Sequence, residues 1–497
     1  MSTPDSLRQA VVVRTALSLL SFFALLASAG CGGGGSSSSA AGNSSSSTTP
    51  TPIAQVPGAP TGLSATSGNA QVSLAFTVPA SDGGAAINSY LATCSLGALS
   101  FSATSTASPA VVTGLVNGNS YNCSVAATNR IGTGAASSAV QALASAVPAV
   151  LNISMAAPAN YIAPSLPLHY DADLAAQDNS PRNDPATDRI ATLGRVLFYD
   201  KALSINDSVS CASCHQQAQG FSDTKRFSSG FAGGLTTAHA MRLGNLRYYR
   251  PGTMFWDKRA ATVEAQAGQP VQNSVEMGFD SAHGGLVAVE TKLQALPYYP
   301  ELFRAAFGDV TVTEARVRRA IAQFERAMIS SNSRWDTAYA AVYDAALPDK
   351  GISLPLASFT AQEERGRALF MLPPPQGGLG CAGCHQPPSF ALSPGSLSNG
   401  LDAGETVIFK SPSLKSVGRS GAFMHDGRFS SLAQVVEHYN SGVQLGPALD
   451  NRLIAGNGQP RRHNLSDSDK AALVAFLLTL DDNSLATDPK FSDPFRR

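Results

Sequence analysis

The sequence predicts a multidomain protein in which an all-β sandwich precedes a mainly α-helical pair of lobes. Between residues 53 and 148, short stretches of alternating apolar and polar residues are separated by turn residues and carry almost no charge. That pattern is typical of a β-sandwich. From about residue 155 to residue 497, apolar residues recur at helical spacing between loops rich in glycine and proline. A Cys-x-x-Cys-His pentapeptide occurs in each half of this helical part, which indicates two lobes, at 155–350 and 351–497.

Residues 1–52 have the composition of an export signal followed by a tether. Arg8 and Arg14 flank the start of an apolar run that is too short for a comfortable membrane span. Small residues leading into Cys31 resemble the lipidation site of bacterial lipoproteins, although Ser28 replaces the usual leucine. We therefore expect a signal peptide over 1–30, a lipid anchor at Cys31 and a flexible Gly/Ser-rich linker over 31–52. An ordinary cleaved signal and a retained anchor are the alternatives.

The balance of charged residues does not indicate a strongly charged partner. Lysine plus arginine equals aspartate plus glutamate at 35 each. No net field therefore indicates nucleic acid or an anionic lipid surface as a partner.

The β region contains three stretches typical of half-buried strands, at residues 72–76, 89–94 and 121–127. The segment around Tyr121 resembles a fibronectin type III domain. The resemblance implies a fibronectin III-like sandwich in which Cys94 and Cys123 lie on neighbouring strands, close enough for a disulfide. Two free buried cysteines are the alternative. The region has no histidine and no cluster of carboxylates, so we interpret it as a spacer or adhesion module.

The helical part contains three helices with clear signals. Residues 313–328 have an apolar stripe at helical spacing, and Thr360 with Glu363 forms a capping box at the start of a second helix. A third helix is predicted over 471–480, and its apolar side chains can cover the edge of a cofactor.

Two pentapeptides carry the chemistry of this chain: Cys211-Ala-Ser-Cys214-His215 and Cys381-Ala-Gly-Cys384-His385. In each, two thiols one helical turn apart can form thioether bonds to one porphyrin, and the next residue offers an imidazole to its iron. A zinc site or a thiol-redox site is the alternative. The pattern predicts two covalently bound haem c groups, with His215 and His385 as proximal ligands. Haem attachment requires an exported, oxidising setting, as does any disulfide.

Further motifs surround these pentapeptides, at residues 193–200, 220–223, 255–259, 276–278, 324–326, 409–414, 423–427 and 438–440. In this order they resemble, over about two-thirds of the chain, the bacterial dihaem cytochrome c peroxidase family. That family includes the MauG enzymes, which oxidise a protein substrate. The resemblance implies two cytochrome c-like domains, the first with a peroxidatic haem and the second with an electron-transfer haem.

The resemblance also implies three catalytic residues. In the peroxidases a tryptophan lies between the haems, a glutamine follows ten residues later and a glutamate ten beyond that. These offsets fall on Trp256, Gln266 and Glu276. One carboxylate can take a proton from the inner oxygen of peroxide and return it to the outer oxygen. Glutamine can hydrogen-bond peroxide without taking the proton, and the indole can pass electrons. A core tryptophan, a loop glutamine and a surface glutamate are the alternatives.

The sixth ligand of the second haem departs from the plain peroxidase pattern. Peroxidases use a methionine about fourteen residues after the histidine of a Tyr-Phe-His-x-Gly segment, and MauG uses a tyrosine there. Counting from His425 gives Tyr439. A phenolate stabilises ferric and higher iron better than a thioether does, so it lowers the reduction potential. Met424, another group, or no ligand are the alternatives.

The distal side of the first haem also differs from many members of the family, which carry a histidine sixteen residues past the haem histidine. This register gives Phe231. We therefore expect an open distal site that needs no reductive activation, with His239 as a switchable ligand the alternative.

Family members often hold calcium between the lobes through an asparagine and backbone carbonyls. Ser420 and Ala422 would supply carbonyls, and Asn245 fits only if its loop is shifted. The sequence leaves calcium open.

The favoured function is a dihaem c-type peroxidase that reduces hydrogen peroxide at the first haem with electrons relayed through the second, or a MauG-like oxidase. Expected partners are hydrogen peroxide and a small redox protein donor, such as a cytochrome c or a cupredoxin, or a protein or organic substrate. The expected location is the periplasm or cell envelope. One alternative is a dihaem electron-transfer cytochrome without peroxidase activity. Another is a cell-surface binding protein in which the fibronectin-like module dominates.

Overall fold

The computed structural model describes residues 53–496. The expected signal peptide, the lipid anchor at Cys31 and the linker over 31–52 lie outside the described residues. Between residues 53 and 496, no helix is both long and apolar enough to cross a membrane.

The N-terminal part is an antiparallel β-sandwich of two sheets. Its eight strands are β1 Thr61–Gly68, β2 Gln71–Thr77, β3 Ile87–Leu96, β4 Leu99–Ser105, β5 Ala110–Thr113, β6 Ser120–Asn129, β7 Thr133–Ala136 and β8 Val140–Leu143. One sheet has the order β1-β2-β5, and the other has the order β4-β3-β6-β7, with β8 also paired to β6. Alternate side chains of β2, β3 and β6 are buried between the sheets, so the three strands expected from alternation are confirmed.

The disulfide expected within this sandwich is also confirmed. Cys94 of β3 lies directly opposite Cys123 of β6 in the antiparallel register, and the two sulfur atoms are bonded. Both side chains are fully buried. The disulfide therefore joins the two central strands of the larger sheet.

The rest of the chain is mainly helical. The helices are α1 Val147–Val150, α2 Ala172–Ala175, α3 Asp188–Tyr199, α4 Cys211–Cys214, α5 Val263–Ala267, α6 Gln269–Gln272, α7 Gly285–Ala295, α8 Tyr299–Phe307, α9 Glu314–Arg326, α10 Arg334–Ala340, α11 Ala361–Met371, α12 Leu432–Glu437, α13 Asp467–Leu478 and α14 Asn483–Thr487. A two-stranded ribbon, β9 His385–Gln386 and β10 Ala391–Leu392, follows the second pentapeptide.

The three helices predicted from the sequence are present. α9 is capped by the Thr313 side chain, and Thr360 and Glu363 form the predicted capping box of α11. α13 covers the segment predicted over 471–480 but begins earlier, at Asp467, because Ser466 accepts a hydrogen bond from the Asp469 backbone N–H as its N-cap.

The two lobes are built on the same helix crossing. Gly194 of α3 packs against the carbonyl of Ala320 on α9, where an added methyl group would lie 1.9 Å from that oxygen. Gly366 of α11 packs in the same way against the carbonyl of Ala472 on α13, again at 1.9 Å. In both crossings a phenylalanine follows four residues after that alanine. The crossings bring α3 and α9 into backbone contact in the first lobe, and α11 and α13 in the second.

The hydrophobic cores cross the predicted lobe boundary at residue 350. Trp335 and Tyr339 of α10 belong to the core that contains Phe370 and Phe476 of the second lobe. The C-terminal Phe491 belongs to the core around Phe198 and Phe324 of the first lobe. The boundaries drawn from the sequence stay a prediction.

The β-sandwich is joined to the helical part by more than its connecting segment. The Glu301 carboxylate of α8 accepts hydrogen bonds from the Ser145 hydroxyl at 2.6 Å and the Ala146 backbone N–H at 2.8 Å. Leu151 forms a β-bridge with Phe495 of the C-terminal segment. The module is therefore held against the first lobe.

Candidate functional site

The first pentapeptide forms the short helix α4 at the edge of a cavity. Ser210 and Ser213 form a capping box at its start. Both cysteines of the helix line the cavity together with His215, and the His215 Nδ1 atom lies 3.0 Å from the Phe221 carbonyl oxygen. A backbone partner at Nδ1 fixes the ring and leaves Nε2 free to serve as a metal ligand. Burial lowers the pKa of His215, which favours the neutral form that binds iron.

Two of the three predicted catalytic residues line this same cavity. Gln266 lies in α5, which the Thr262 side chain caps by accepting from the Ala265 backbone N–H. Glu276 lies in the turn after α6, where the Asn273 side chain accepts a hydrogen bond from the Glu276 backbone N–H at 3.1 Å. The structure therefore brings the amide and the carboxyl to the first pentapeptide.

The environment of Glu276 favours its protonated form. Burial raises the pKa of the Glu276 carboxyl, and the positive charge of Arg259 acts in the opposite direction. Arg259 itself pairs with Asp257 at 2.8 Å and is half exposed. A carboxyl with a raised pKa can both accept and return a proton closer to neutral pH.

Phe231 stands next to Glu276 in the structure. The Phe231 backbone N–H donates to the Glu276 carbonyl at 3.0 Å. The Phe231 ring packs so closely on Gly278 that a methyl group there would lie 2.7 Å from it. Gly230 packs even more closely on the Val275 carbonyl, where an added methyl group would lie 1.7 Å from the oxygen. These contacts fix the loop of Phe231 to the loop of Glu276, with an apolar ring at the position where many family members carry a histidine.

The second pentapeptide lines a larger and mostly apolar cavity. Cys381, Cys384 and His385 lie on its wall, and Tyr439 and Met424 both face it. Burial, followed by the charges of Arg242 and Arg452, lowers the pKa of His385 to about 4, so its imidazole is neutral near pH 7.

Both candidate sixth ligands share one hydrogen-bond donor. The Asn399 side-chain amide lies 3.5 Å from the Tyr439 hydroxyl and 3.4 Å from the Met424 sulfur. Tyr439 lies in a π-helical turn, His438–Gly442, that continues α12. Such turns are rare and often occur at functional sites. Burial raises the pKa of Tyr439 to about 12, so the phenol needs a cation to ionise at neutral pH.

Trp256 lines the second cavity and is not among the residues that line the first. Its indole N–H donates to the His239 carbonyl at 2.8 Å, and its ring lies 6.4 Å from that of His425. The His425 ring is stacked on Phe409 at 3.8 Å. Trp256 is thus held rigidly by both its polar atom and its ring neighbours.

His239 also lines the second cavity rather than the first. Its Nε2 atom lies 3.2 Å from the Ser222 hydroxyl oxygen, and its Nδ1 atom lies 3.0 Å from the Lys225 carbonyl oxygen. Both ring nitrogens have partners, which favours an ordinary structural histidine over a switchable ligand.

The asparagine considered for calcium has backbone partners elsewhere. The Asn245 amide accepts from the Ser330 backbone N–H at 2.9 Å and donates to the Ser330 carbonyl at 3.1 Å. The Ala422 carbonyl, one of the two considered for calcium, accepts a hydrogen bond from the Ser420 hydroxyl at 3.1 Å.

The second cavity contains two buried cations that the sequence did not single out. Arg242 and Lys410 are 8% and 3% exposed, and neither forms an ion pair with a carboxylate of residues 53–496. Burial lowers the pKa of Arg242 to about 10 and that of Lys410 to about 8. Buried cations without anions are costly. Haem carries two propionate groups, so this donor set fits a haem bound through Cys381 and Cys384.

Comparison with known proteins agrees with this arrangement. The profile of the dihaem cytochrome c peroxidase family matches residues 188–343. The methylamine utilization protein MauG of Methylorubrum extorquens is 34% identical over 316 residues, which span 60% of this chain and 80% of that protein. The chain belongs to the dihaem cytochrome c peroxidase family.

Other relatives of this dihaem cytochrome c peroxidase support the same assignment. The cytochrome c551 peroxidase of Nitrosomonas europaea is 28% identical over 51% of this chain and 73% of that protein. The crystal structure of a MauG-like protein associated with microbial copper homeostasis is 28% identical and matches with a TM-score of 0.53, over 64% of this chain and 96% of that one. The protein is therefore an oxidoreductase with a peroxidase or MauG-like function that uses haem c.

Sequence reasoning missed three charged residues at the two cavities: Arg242, Lys410 and Glu325. Glu325 lies within the Phe324–Arg326 motif that carries the family resemblance, and it interrupts the apolar stripe of α9. The signal that could have identified Glu325 is a charged residue at an otherwise apolar position of a helix.

Proposed function

We propose that this protein reduces hydrogen peroxide at the first cavity and receives electrons through the second. The observation that carries the proposal is the convergence of Gln266 and Glu276 on the cavity lined by Cys211, Cys214 and His215. The haem attached there, when bound, supplies the iron that carries the redox chemistry.

Glu276 is the proposed general base and general acid. Its carboxylate takes the proton from the inner oxygen of peroxide and returns it to the outer oxygen, which then leaves as water. Gln266 orients the peroxide by donating a hydrogen bond from its side-chain amide. The amide is not basic enough to take the proton from peroxide. Phe231 stands at the register where many family members carry a histidine, and its ring has no atom that can bind iron, so we propose that the first cavity is open without reductive activation.

Trp256 is the proposed electron relay between the two cavities. Its indole N–H is bonded to a backbone carbonyl, which leaves the ring free of polar partners and fixed in orientation. A rigid, oxidisable ring suits electron passage because little reorganisation accompanies each transfer.

Tyr439 is the proposed sixth ligand of the second haem, and Met424 is the alternative. The variant Tyr439→Phe removes the oxygen donor and keeps the ring. We expect a changed ferric absorption spectrum and a reduction potential of the second haem that is higher by on the order of 100 mV, out of the roughly 0.8 V that axial ligands span. Met424→Leu serves as the matched control and should leave both unchanged; the reverse result would assign the methionine.

Several finer assignments accompany this function as proposals. The electron donor is a small redox protein such as a cytochrome c or a cupredoxin, or the oxidised substrate is a protein or organic molecule. The location is the periplasm or cell envelope, with a lipid anchor at Cys31. The β-sandwich is fibronectin III-like, which is supported by the Tyr121 hydroxyl accepting from the Val116 backbone N–H at 2.9 Å. Calcium is not part of the proposal, because Asn245 is bonded to Ser330.

Stopped-flow spectra after mixing with hydrogen peroxide test the proposal. The haem spectrum of the wild-type holoprotein should change after mixing with hydrogen peroxide, on the time scale of stopped flow. In Glu276→Gln the same change should be about 10²- to 10⁴-fold slower, which is the usual contribution of acid–base catalysis. Glu314→Gln, which alters a partly exposed carboxyl on α9, should behave as wild type. A wild-type protein with two haems that does not react would instead indicate an electron-transfer cytochrome.

A further inference from the structure

Glu325 is a buried carboxyl that takes no part in the chemistry proposed for Gln266 and Glu276. It lies near the end of α9, is 4% exposed, and lines the first cavity together with Gln266 and Glu276. Its Oε2 atom is buried and has no hydrogen-bond partner among the described residues. An unpartnered oxygen at such a position requires an explanation, because buried polar atoms are nearly always satisfied.

The charges around Glu325 do not neutralise it. The two charges that act on it are those of Arg326, next to it on α9, and Glu264 on α5. The Arg326 guanidinium is directed away, toward the Glu264 carboxylate, with which it makes two hydrogen bonds, and toward the Asn179 side chain. Glu325 has no ion pair of its own within residues 53–496. Burial raises the pKa of the Glu325 carboxyl to about 8, so the group carries a proton at neutral pH.

Residues near the end of α9 line two different cavities. Gln323 and Arg326 face a small cavity that Glu264 also lines, and Glu264 is partly exposed to solvent. Glu325 faces the first cavity instead. The neighbours of Glu325 on α9 therefore line a partly solvated pocket, whereas Glu325 itself lines the cavity that Glu276 also lines.

We infer that Glu325 is a protonated acid that supplies a proton to Glu276 during peroxide reduction. The inference rests on the proposed function of the first cavity. Glu325 acts on the reaction only through Glu276 and does not contact peroxide. It is therefore a positioning residue and not a catalytic one.

The stoichiometry of the reaction creates the need for this proton. Hydrogen peroxide takes up two electrons and two protons and leaves as two water molecules. The transfer between its oxygens through Glu276 is internal to peroxide and supplies neither proton. The electrons come from the reduced donor. One of the two protons comes from Glu325, whose carboxylate is then reprotonated from bulk water, and the other enters from solvent.

The test compares the pH profiles of Glu325→Gln and Glu325→Asp in the holoprotein, with haem content measured for each. In the wild type, the proton on Glu325 is present below pH 8 and lost above it, so the turnover rate should fall as pH rises through about 8. Glu325→Gln keeps the shape of the side chain and removes its acidic group. We expect its turnover to be about tenfold slower and not to fall as pH rises through about 8. Glu325→Asp keeps the acid and should retain the decline.

Infrared difference spectra between pH 7 and pH 10 provide a readout that does not depend on activity. The carbonyl band of a protonated carboxylic acid should titrate in the wild type and be missing from Glu325→Gln. Glu363→Gln is the matched control, because Glu363 is a similarly buried glutamate on α11 that already pairs with Arg334 of α10. It should leave both the band and the pH profile unchanged.

Two results would overturn the inference. One is a Glu325→Gln protein with wild-type rate and wild-type decline; the other is a decline that disappears in Glu325→Asp as well. A loss of activity in Glu276→Gln together with an unaffected Glu325→Gln would refute the relay alone. An unaffected Glu276→Gln would refute the proposed function itself.

Discussion

At the scale of single residues, the balance of charge around Glu276 sets the pH range of the reaction. Two opposing influences act on this carboxyl: burial, which raises its pKa, and the positive charge of Arg259, which lowers it. Glu276 must be ionised to accept the first proton, so activity should fall as pH drops through its pKa. That pKa lies above the ordinary value of 4.5.

Arg259→Gln tests this balance. Removing the cation leaves burial unopposed, so the pKa of Glu276 rises and the acid limb of the rate profile moves to higher pH. Because the Arg259 side chain is half exposed, solvent screens its effect and we expect a shift of about one pH unit at most. The rate profile of turnover between pH 4 and 8 measures it.

Arg250→Gln is the control for this prediction, since Arg250 is an exposed arginine whose one hydrogen-bond acceptor among the described residues is the Ala176 carbonyl. Its acid limb should match the wild type. An acid limb that moves to lower pH in Arg259→Gln would mean that another group controls it.

The residues of the two sites differ in how far the sequence could identify them. Gln266 and Glu276 follow from fixed offsets, and the structure brings both to one cavity. Trp256 follows from the same offsets but lies on the other cavity. Arg242 and Lys410 could not be found, because nothing in a linear pattern distinguishes a buried cation from an exposed one. Their burial results from how distant segments pack.

At the scale of elements, the helix crossing of each lobe depends on one glycine. In the second lobe, a methyl group on Gly366 would lie 1.9 Å from the Ala472 carbonyl oxygen and 2.8 Å from the Phe476 Cβ atom. Such overlap forces α11 and α13 apart. We expect Gly366→Ala to lower the free energy of unfolding by about 1–3 kcal/mol, measured by thermal or denaturant unfolding of the holoprotein.

Gly456→Ala is the matched control, because an added methyl group at this exposed position meets no atom within 4 Å. It should unfold as the wild type does. Equal stability of the two variants would show that the crossing can relax, and that the backbone contact is not needed for the lobe.

Helix positions were more predictable than helix details. The apolar stripe of α9 and the capping box of α11 are local signals, and both helices are present, α11 with the predicted capping box. The π-helical turn His438–Gly442 has no such signal, since it depends on one extra residue accommodated at the end of α12. That turn nevertheless directs Tyr439 into the second cavity.

At the scale of the whole molecule, the β-sandwich is attached to the first lobe more firmly than a spacer requires. The two Glu301 hydrogen bonds are joined by contacts of Arg304 with the Asn117 carbonyl and the Asn119 side chain, each at 3.5 Å. The sequence could not predict this attachment, because it depends on side chains of α8 meeting groups more than a hundred residues away along the chain.

Glu301→Ala tests whether this carboxyl holds the module. The variant leaves the Ser145 hydroxyl and the Ala146 N–H without their acceptor, at a cost of about 1–3 kcal/mol. We expect the segment around residues 145–152 to open more often, and limited proteolysis there to be several-fold faster. Asp309→Ala removes an ion pair with Arg316 on the same lobe, and within residues 53–496 Asp309 forms no hydrogen bond or ion pair with the sandwich, so the cleavage rate of this variant should be that of the wild type. If Glu301→Ala is cleaved no faster, the β-bridge between Leu151 and Phe495 is sufficient to fix the module.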